Sequence, residues 1–225
     1  MPPTLNGFHF PQAIIFDWDN TLVENWTALT TAMNTTLDAF NLPNWDVRRM
    51  MDNSRQSMRN SFPGIFGPEW EKAREIFYAD FRKHHLDSLK RIPAAEELLD
   101  FLSGHGMVLA VCSNKNGDLL RREATHLGWA KYFNSLVGAQ DAEKDKPDPA
   151  PVRLIRRVNH LPASTPIWFV GDTSADMICA RRSNCLPVGI GPFAGEDPHH
   201  QPRLQFDALG PLLTGLKTLL SSSVG

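Results

Sequence analysis

The sequence predicts an α/β fold: a parallel sheet with helices on both faces and an all-helical insertion after the first strand. Three observations predict it. An apolar run, Ala13-Ile14-Ile15-Phe16, ends abruptly in Asp17. From Ile92 onward short apolar runs alternate with stretches of helical periodicity, and between roughly Glu24 and Lys90 no run reads as a strand. Strand and helix in turn call for a parallel sheet. A short run that is apolar at every position is how a strand buried on both faces reads.

Residues 13–16 form the first strand on this reading. If extended geometry persists through Asp19, Asp17 and Asp19 project to one side and Trp18 to the other. Ligands of open parallel sheets bind beyond the carboxyl ends of the strands, so Asp17 falls where a site would be. Two carboxylates one residue apart repel unless a cation or a shared proton intervenes. After Leu22 the texture changes: Trp26, Leu29, Met33, Leu37 and Phe40 recur at steps of three and four, an amphipathic helix closed by Asn41-Leu42-Pro43. A looser stretch follows, with Met50, Met51 and Met58 among Arg48, Arg49, Arg55 and Arg59. Phe62-Pro63-Gly64 and Gly67-Pro68 are expected to break it, and Glu69 opens a helix carrying Trp70, Ala73, Phe77 and Phe81. The expected organisation is a core of residues 1–22 and 91–225 with a helical domain of residues 23–90 inserted between them.

Ile92-Pro93 restarts the core, with Pro93 suited to a first helical turn, Leu98, Leu99 and Leu102 along one side, and Gly104 at the end. Strands are then expected at Met107–Val111, Leu136–Gly138, Ile167–Val170 and Pro187–Ile190. Helices are expected at Asp118–Leu127, Pro149–Val158, Ala175–Arg182 and Leu209–Leu220. Phe193 to Gln205, rich in Gly, Pro and His, reads as a surface loop.

A chain of 225 residues, 42% hydrophobic and 21% charged, has ordinary soluble composition and can bury a sizeable core. The formal charge of -2 and the scattered Arg pairs at 48, 121, 156 and 181 give no footprint for nucleic acid. Cys112, Cys179 and Cys185 show no C-x-x-C spacing and read as reduced, mostly buried thiols. No stretch approaches the about 18 apolar residues of a membrane span, and the N-terminus has neither a basic nor an apolar segment. A cytoplasmic location without membrane association is expected; the oligomeric state stays open.

Four short motifs carry candidate chemistry. They are Asp17-Trp18-Asp19-Asn20-Thr21; Ser113-Asn114 at the end of the run Met107–Cys112; Lys146-Pro147-Asp148-Pro149; and Gly171-Asp172-Thr173-Ser174-Ala175-Asp176. Each has a plain alternative: a turn, a second turn, a solvated lysine, a helix N-cap. Their order, with a helical insertion after the first, resembles the haloacid dehalogenase superfamily of phosphoryl-transfer enzymes. That resemblance implies a doubly wound, Rossmann-like core and a helical cap that folds over the site.

It also implies roles. Asp17 attacks phosphorus to give an aspartyl-phosphate, and Asp19 protonates the leaving oxygen and then activates water. Ser113 and Asn114 hold phosphoryl oxygens. Lys146, preferred over Lys144 for its lysine-proline pattern at a helix start, neutralises nucleophile and phosphate. Asp17 and Asp172 bind metal through side chains and Asp19 through its backbone carbonyl, with Asp176 either a ligand or one step removed. Asp17, Asp19, Asp172 and Asp176 place up to four negative charges together, and a phosphate adds about two more. One lysine does not offset them, and Mg2+ suits such oxygen donors.

Ser113-Asn114-Lys115, the lysine-proline segment and the cap look most like the phosphoglycolate phosphatase branch, acting on a small phosphorylated metabolite. In the cap, Arg48, Arg49 and Arg55 could line the site for an acidic leaving group, or form an exposed basic face. A sugar phosphomutase shares the core motifs. A phosphonate hydrolase would need a cap lysine, for which Lys72 or Lys83 is available, and a non-catalytic binding module is the reading from another class.

Overall fold

The computed structural model describes residues 5, 7–53 and 57–223. In chain order its elements are β1 (Ala13–Phe16), β2 (Val23–Glu24), α1 (Trp26–Ala39), α2 (Val47–Asn53), α3 (Met58–Phe66), α4 (Trp70–His84) and β3 (Lys90–Arg91). There follow α5 (Ala95–Gly104), β4 (Val108–Asn116), α6 (Gly117–His126), β5 (Ser135–Ala139), α7 (Ala150–Val158) and β6 (Ile167–Gly171). The chain closes with α8 (Ser174–Arg182), β7 (Leu186–Ile190), β8 (Leu204–Phe206) and α9 (Leu209–Ser223). Two compact units emerge, Met1–Val23 with Arg91–Gly225, and Glu24–Lys90. None of the helices among the described residues is long and apolar enough to cross a membrane.

The first unit is built on a six-stranded sheet of order β5-β4-β1-β6-β7-β8, every neighbouring pair parallel. All four residues of β1 are buried, which explains why no polar residue interrupts the run. Ala13 and Ile15 join Phe169 of β6 and Ala110 of β4 on one face, where Val152 and Ile155 of α7 and Cys179 and Ala180 of α8 cover them. α5 and α9 pack together, burying Leu98, Leu102, Leu212 and Leu216. The three cysteines are free and buried.

Among the described residues the second unit carries α1 to α4, so the doubly wound core with a helical insertion holds, but the insertion is not wholly free of strand: the two-stranded pair β2-β3 takes in Glu24 and Lys90 at its ends, too short for an apolar run to mark. Pro63, however, lies inside α3 rather than ending it. Proline in a helix interior costs about 3 kcal/mol, and aromatic packing offsets that here. Phe62 and Phe66, four residues apart, sit on one helix face with ring centroids 5.0 Å apart. Phe62 also meets Phe77 of α4 at 5.9 Å, and Phe66 meets Phe40 at 5.1 Å.

Three further expectations are corrected. The predicted loop from Phe193 to Gln205 contains the start of β8, a parallel edge strand. Only Leu204 and Phe206 turn inward there, too few residues for an alternation to register. β4 runs on to Asn116, and Ser113 and Asn114 lie within the strand, inside a register irregularity between Cys112 and Asn116. α5 starts at Ala95, after Ala94 takes a left-handed conformation with φ of 66°, so Pro93 precedes the first turn.

Phe62→Ala is expected to destabilise the protein by about 3–5 kcal/mol, the usual loss for a buried phenylalanine. Val47→Ala, at an exposed position of α2, should change stability by less than about 0.5 kcal/mol. Urea unfolding measures both, and faster amide exchange across 58–66 in the first variant would localise the effect.

Candidate active site

The sheet order places its switch point at β1, with β4 and β5 on one side and β6, β7 and β8 on the other. Crevices at such a point are where open α/β sheets take ligands. Phe16 is in register with Val111 on one side and Val170 on the other, so Asp17 stands level with Cys112 and Gly171. The Asp17 N–H still donates to the Val170 carbonyl at 2.8 Å. Ser113 and Asp172 follow one residue later on the flanking strands, so three distant segments deliver polar side chains to one rim.

Asp17, Asp172 and Asp176 are buried, and each offers an oxygen within 4.8 Å of the others. Lys146 holds this group together, its Nζ lying 2.6 Å from Asp17 Oδ1 and 2.6 Å from Asp176 Oδ1. Lys144 is instead 73% exposed, 3.7 Å from Asp148. Helix α7 begins four residues after Lys146, not at it. The lysine therefore acts from a loop through its own charge rather than with a helix dipole.

Asp176 has both oxygens engaged. Oδ1 accepts from Lys146, while Oδ2 accepts from the Thr173 N–H at 3.0 Å and the Thr173 hydroxyl at 2.7 Å. One carboxylate thus closes the N-terminus of α8 and anchors the lysine, with Thr173 as the capping residue. A Cβ at Gly171 would lie 2.5 Å from Asp176 Cβ and Cγ, so the glycine before Asp172 is a packing requirement. The Thr21 hydroxyl donates to Asp172 Oδ1 at 3.3 Å, tying the first motif to the last. Ser113 is buried, its hydroxyl accepting from the Lys115 N–H at 3.1 Å. The Asn114 amide donates to the Lys146 carbonyl at 3.2 Å, steadying the lysine loop, while Asn114 Oδ1 is buried without a partner.

Asp19 is in a different setting. Its side chain is 24% exposed, and Oδ1 lies 2.8 Å from Lys115 Nζ. The same ammonium sits 2.9 and 2.7 Å from the two oxygens of Glu123, which is fully buried. Glu123 Oε2 also accepts from the Trp18 indole at 2.7 Å. Alternation does send Trp18 away from the acids, edge-on to Trp129 at 6.0 Å and Phe133 at 6.2 Å. Lys115 falls within the Ser113-Asn114-Lys115 motif but takes no role in the sequence reading, and Glu123 lies outside every motif. The available signal was a lone acid on an apolar helix face, since Glu123 falls among Leu119, Leu120 and Ala124.

The electrostatics follow from burial. Desolvation pushes the Asp17 carboxyl up to about 6, against the pull of the Lys146 ammonium. Asp172 rises well above the ordinary carboxylate range, first through burial and then through the charges of Asp17 and Asp176. Asp19 is also raised by burial, with Lys115 pulling it back. Burial alone would lower both lysines, but Asp17 and Asp176 hold Lys146 well above its ordinary value, and Asp19 and Glu123 do the same for Lys115.

Five carboxylates (Asp17, Asp19, Asp172, Asp176, Glu123) thus face two ammonium groups, Lys115 and Lys146. The Lys115–Glu123 pair is neutral, so it leaves the deficit of positive charge unrelieved. The donor set is hard oxygen, and it fits a divalent cation held through Asp17 and Asp172.

Arg48 and Arg49 are exposed on α2 in the second unit. The Arg49 guanidinium lies over the Trp45 ring at 5.0 Å, and the Arg49 backbone N–H donates to Asp46 Oδ1 at 2.7 Å. Arg55 lies outside the described residues.

Comparison with known proteins agrees with this arrangement. The family profile of haloacid dehalogenase-like hydrolases matches residues 14–190. A phosphoglycolate phosphatase from Neisseria meningitidis is 29% identical over 195 residues, which is 80% of this chain and 80% of that protein. A haloacid dehalogenase-superfamily hydrolase of solved structure from Ehrlichia chaffeensis is 26% identical, with a TM-score of 0.65 over 95% of this chain and 100% of its own. A haloacid dehalogenase-like hydrolase from Streptococcus pneumoniae, 21% identical, shares the fold, with a TM-score of 0.79 over 91% of this chain and 96% of its own. Since the profile runs from β1 to the end of β7 and spans every strand that carries the clustered acids, the chain belongs to the haloacid dehalogenase-like hydrolase family.

Proposed function

We propose that this chain is a Mg2+-dependent phosphatase that hydrolyses small phosphomonoesters through a phosphorylated Asp17. The observation that carries the reading is the grip of Lys146 on Asp17 at the end of β1, beside Asp172, with Asp19 held apart by a second lysine. A buried lysine that remains charged keeps Asp17 ionised and ready to attack. It also offers positive charge where phosphoryl oxygens arrive. The Ser113 hydroxyl and an amide N–H of Asn114 are the neutral donors for those oxygens.

An Asp17 oxygen attacks phosphorus while the ester oxygen departs with a proton from Asp19. A water then attacks the same phosphorus, Asp19 takes a proton from that water, the Asp17 O–P bond breaks, and inorganic phosphate and free Asp17 result. Asp17, Asp172 and the Asp19 carbonyl would hold the Mg2+, which when bound offsets the collected acids and the phosphoryl charge. Full engagement of Asp176 by Lys146 and Thr173 supports a place for it outside the metal's own ligands.

The phosphoglycolate phosphatase names of relatives from Neisseria meningitidis and Pseudomonas fluorescens support a small acidic substrate. In this proposal residues 23–90 act as a cap that excludes bulk water.

Turnover of a phosphate-metabolite panel tests this reading. With Mg2+ the wild type is expected to prefer phosphoglycolate over neutral sugar phosphates. Asp17→Asn should lose about 10³-fold or more in kcat with an unchanged far-ultraviolet spectrum. Equal rates across the panel would remove the acidic-substrate assignment, and an active Asp17→Asn would remove the nucleophile.

Metal and pH are linked through the same acids. Folded-state pKa values of Asp17 and Asp172 lie above that of an unfolded carboxylate, so the folded chain binds more protons above pH 3.8, with the Asp17 part of that window closing at about 6. Metal-free stability therefore falls as pH rises through that window. Mg2+ should raise the melting midpoint more at about pH 7.5 than at about pH 5. Asp172→Asn removes one repelling charge. In metal-free protein it should raise the midpoint at about pH 7.5 by roughly 2–4 °C, the shift about 1 kcal/mol produces in a chain of this size, and it should abolish the response to Mg2+. Calorimetry showing a full Mg2+ response in that variant would contradict the assignment.

A further inference from the structure

Lys115, Glu123 and Trp18 form a buried cluster that the mechanism above leaves unused. We propose that Lys115, locked in place by Glu123 and the Trp18 indole, is a positioning residue that sets the orientation of Asp19 for proton transfer to the leaving oxygen. The inference rests on the reading of Asp19 as the acid.

The bonds form a closed ring. Trp18 Nε1 donates to Glu123, Glu123 takes two donors from Lys115, and Lys115 returns to Asp19, the residue after Trp18. Each corner is fixed. Trp18 is fully buried and wedged by Trp129 and Phe133, so the indole that holds Glu123 has little room to move. The backbone at Lys115 is pressed against β5, where a Cβ on Gly138 would lie 2.6 Å from the Lys115 carbonyl and 2.5 Å from Gly117 Cα.

Glu123 is a buried charge, which is costly unless paired, on a helix face where leucine would pack with less loss. Its three accepted bonds all serve to aim one ammonium. Asp19, by contrast, is partly exposed, and Lys115 grips one of its oxygens. Without that grip the side chain would sample several rotamers. Lys115 Nζ lies within hydrogen-bond distance of Asp19 Oδ1 and of both Glu123 oxygens, so its ammonium is committed to these two acids.

As the Asp17–phosphorus bond forms and the ester P–O bond breaks, the Asp19 O–H proton passes to the departing oxygen. The carboxylate left behind forms against the ammonium 2.8 Å away.

The test compares Lys115→Met/Glu123→Gln with Asp19→Asn and wild type on aryl phosphates from p-nitrophenyl to phenyl phosphate, with Mg2+. The double substitution removes the pair without stranding a buried charge, and the amide carbonyl it introduces can still accept from the Trp18 indole; calorimetry checks that the variant folds. In kcat/KM, which reports events up to leaving-group departure, the double variant should lose about 10²-fold on phenyl phosphate and less than about 5-fold on p-nitrophenyl phosphate, whose leaving group needs little protonation. Asp19→Asn should show the same grading. A parallel loss across the series, or a rise in KM at unchanged kcat, would overturn the positioning role and mark Lys115 as structural or substrate-binding. A flat series in Asp19→Asn itself would overturn the acid assignment on which the proposal stands.

Discussion

The structure depends on one electrostatic constraint: acids that repel one another must share the rim of a sheet, and Lys146 is what lets them. Its ammonium bridges Asp17 at the end of β1 and Asp176 at the start of α8, joining segments separated by most of the chain. Buried carboxylates without such a partner would protonate or pull the rim apart. Several local features follow from keeping that bridge short. Gly171 has no side chain because Asp176 occupies the space, Thr173 caps α8 through the same carboxylate, and Asn114 ties down the carbonyl of Lys146 itself.

A second lysine divides the labour. Lys146 faces Asp17 and Asp176, whereas Lys115 faces Asp19 and is balanced by Glu123. The two carboxylates of the first motif, separated by one residue, thus pair with different lysines. In the proposed mechanism nucleophile and acid/base need different proton affinities, and the two lysines supply distinct neighbours for each. Trp18, the residue between them, is buried on the other side and holds the far end of the second network. Alternation thus sets the indole on the far side from the two acids, and different lysines distinguish them.

Much of this was legible in the linear chain because buried parallel strands leave a coarse imprint. Ala13–Phe16 and Ile167–Gly171 are unbroken apolar runs ending in acid, and their register made the convergence of Asp17 and Asp172 foreseeable from the fold class alone. What escaped had physical reasons. β8 is too short for its alternation to stand out within a Gly- and Pro-rich stretch. α3 tolerates Pro63 because Phe62 and Phe66 need the helix for their contacts, a tertiary effect that local propensity does not carry. Glu123 lies outside every motif, and its partner Lys115 is close only through folding.

The central claim is that this convergence exists to let Asp17 carry a phosphoryl group. The most direct measurement is mass spectrometry of protein acid-quenched during turnover with Mg2+ and substrate, followed by peptide mapping. A phosphoryl adduct on the peptide containing Asp17, absent without Mg2+, is the result the account predicts. An adduct confined to another residue during active turnover would contradict it.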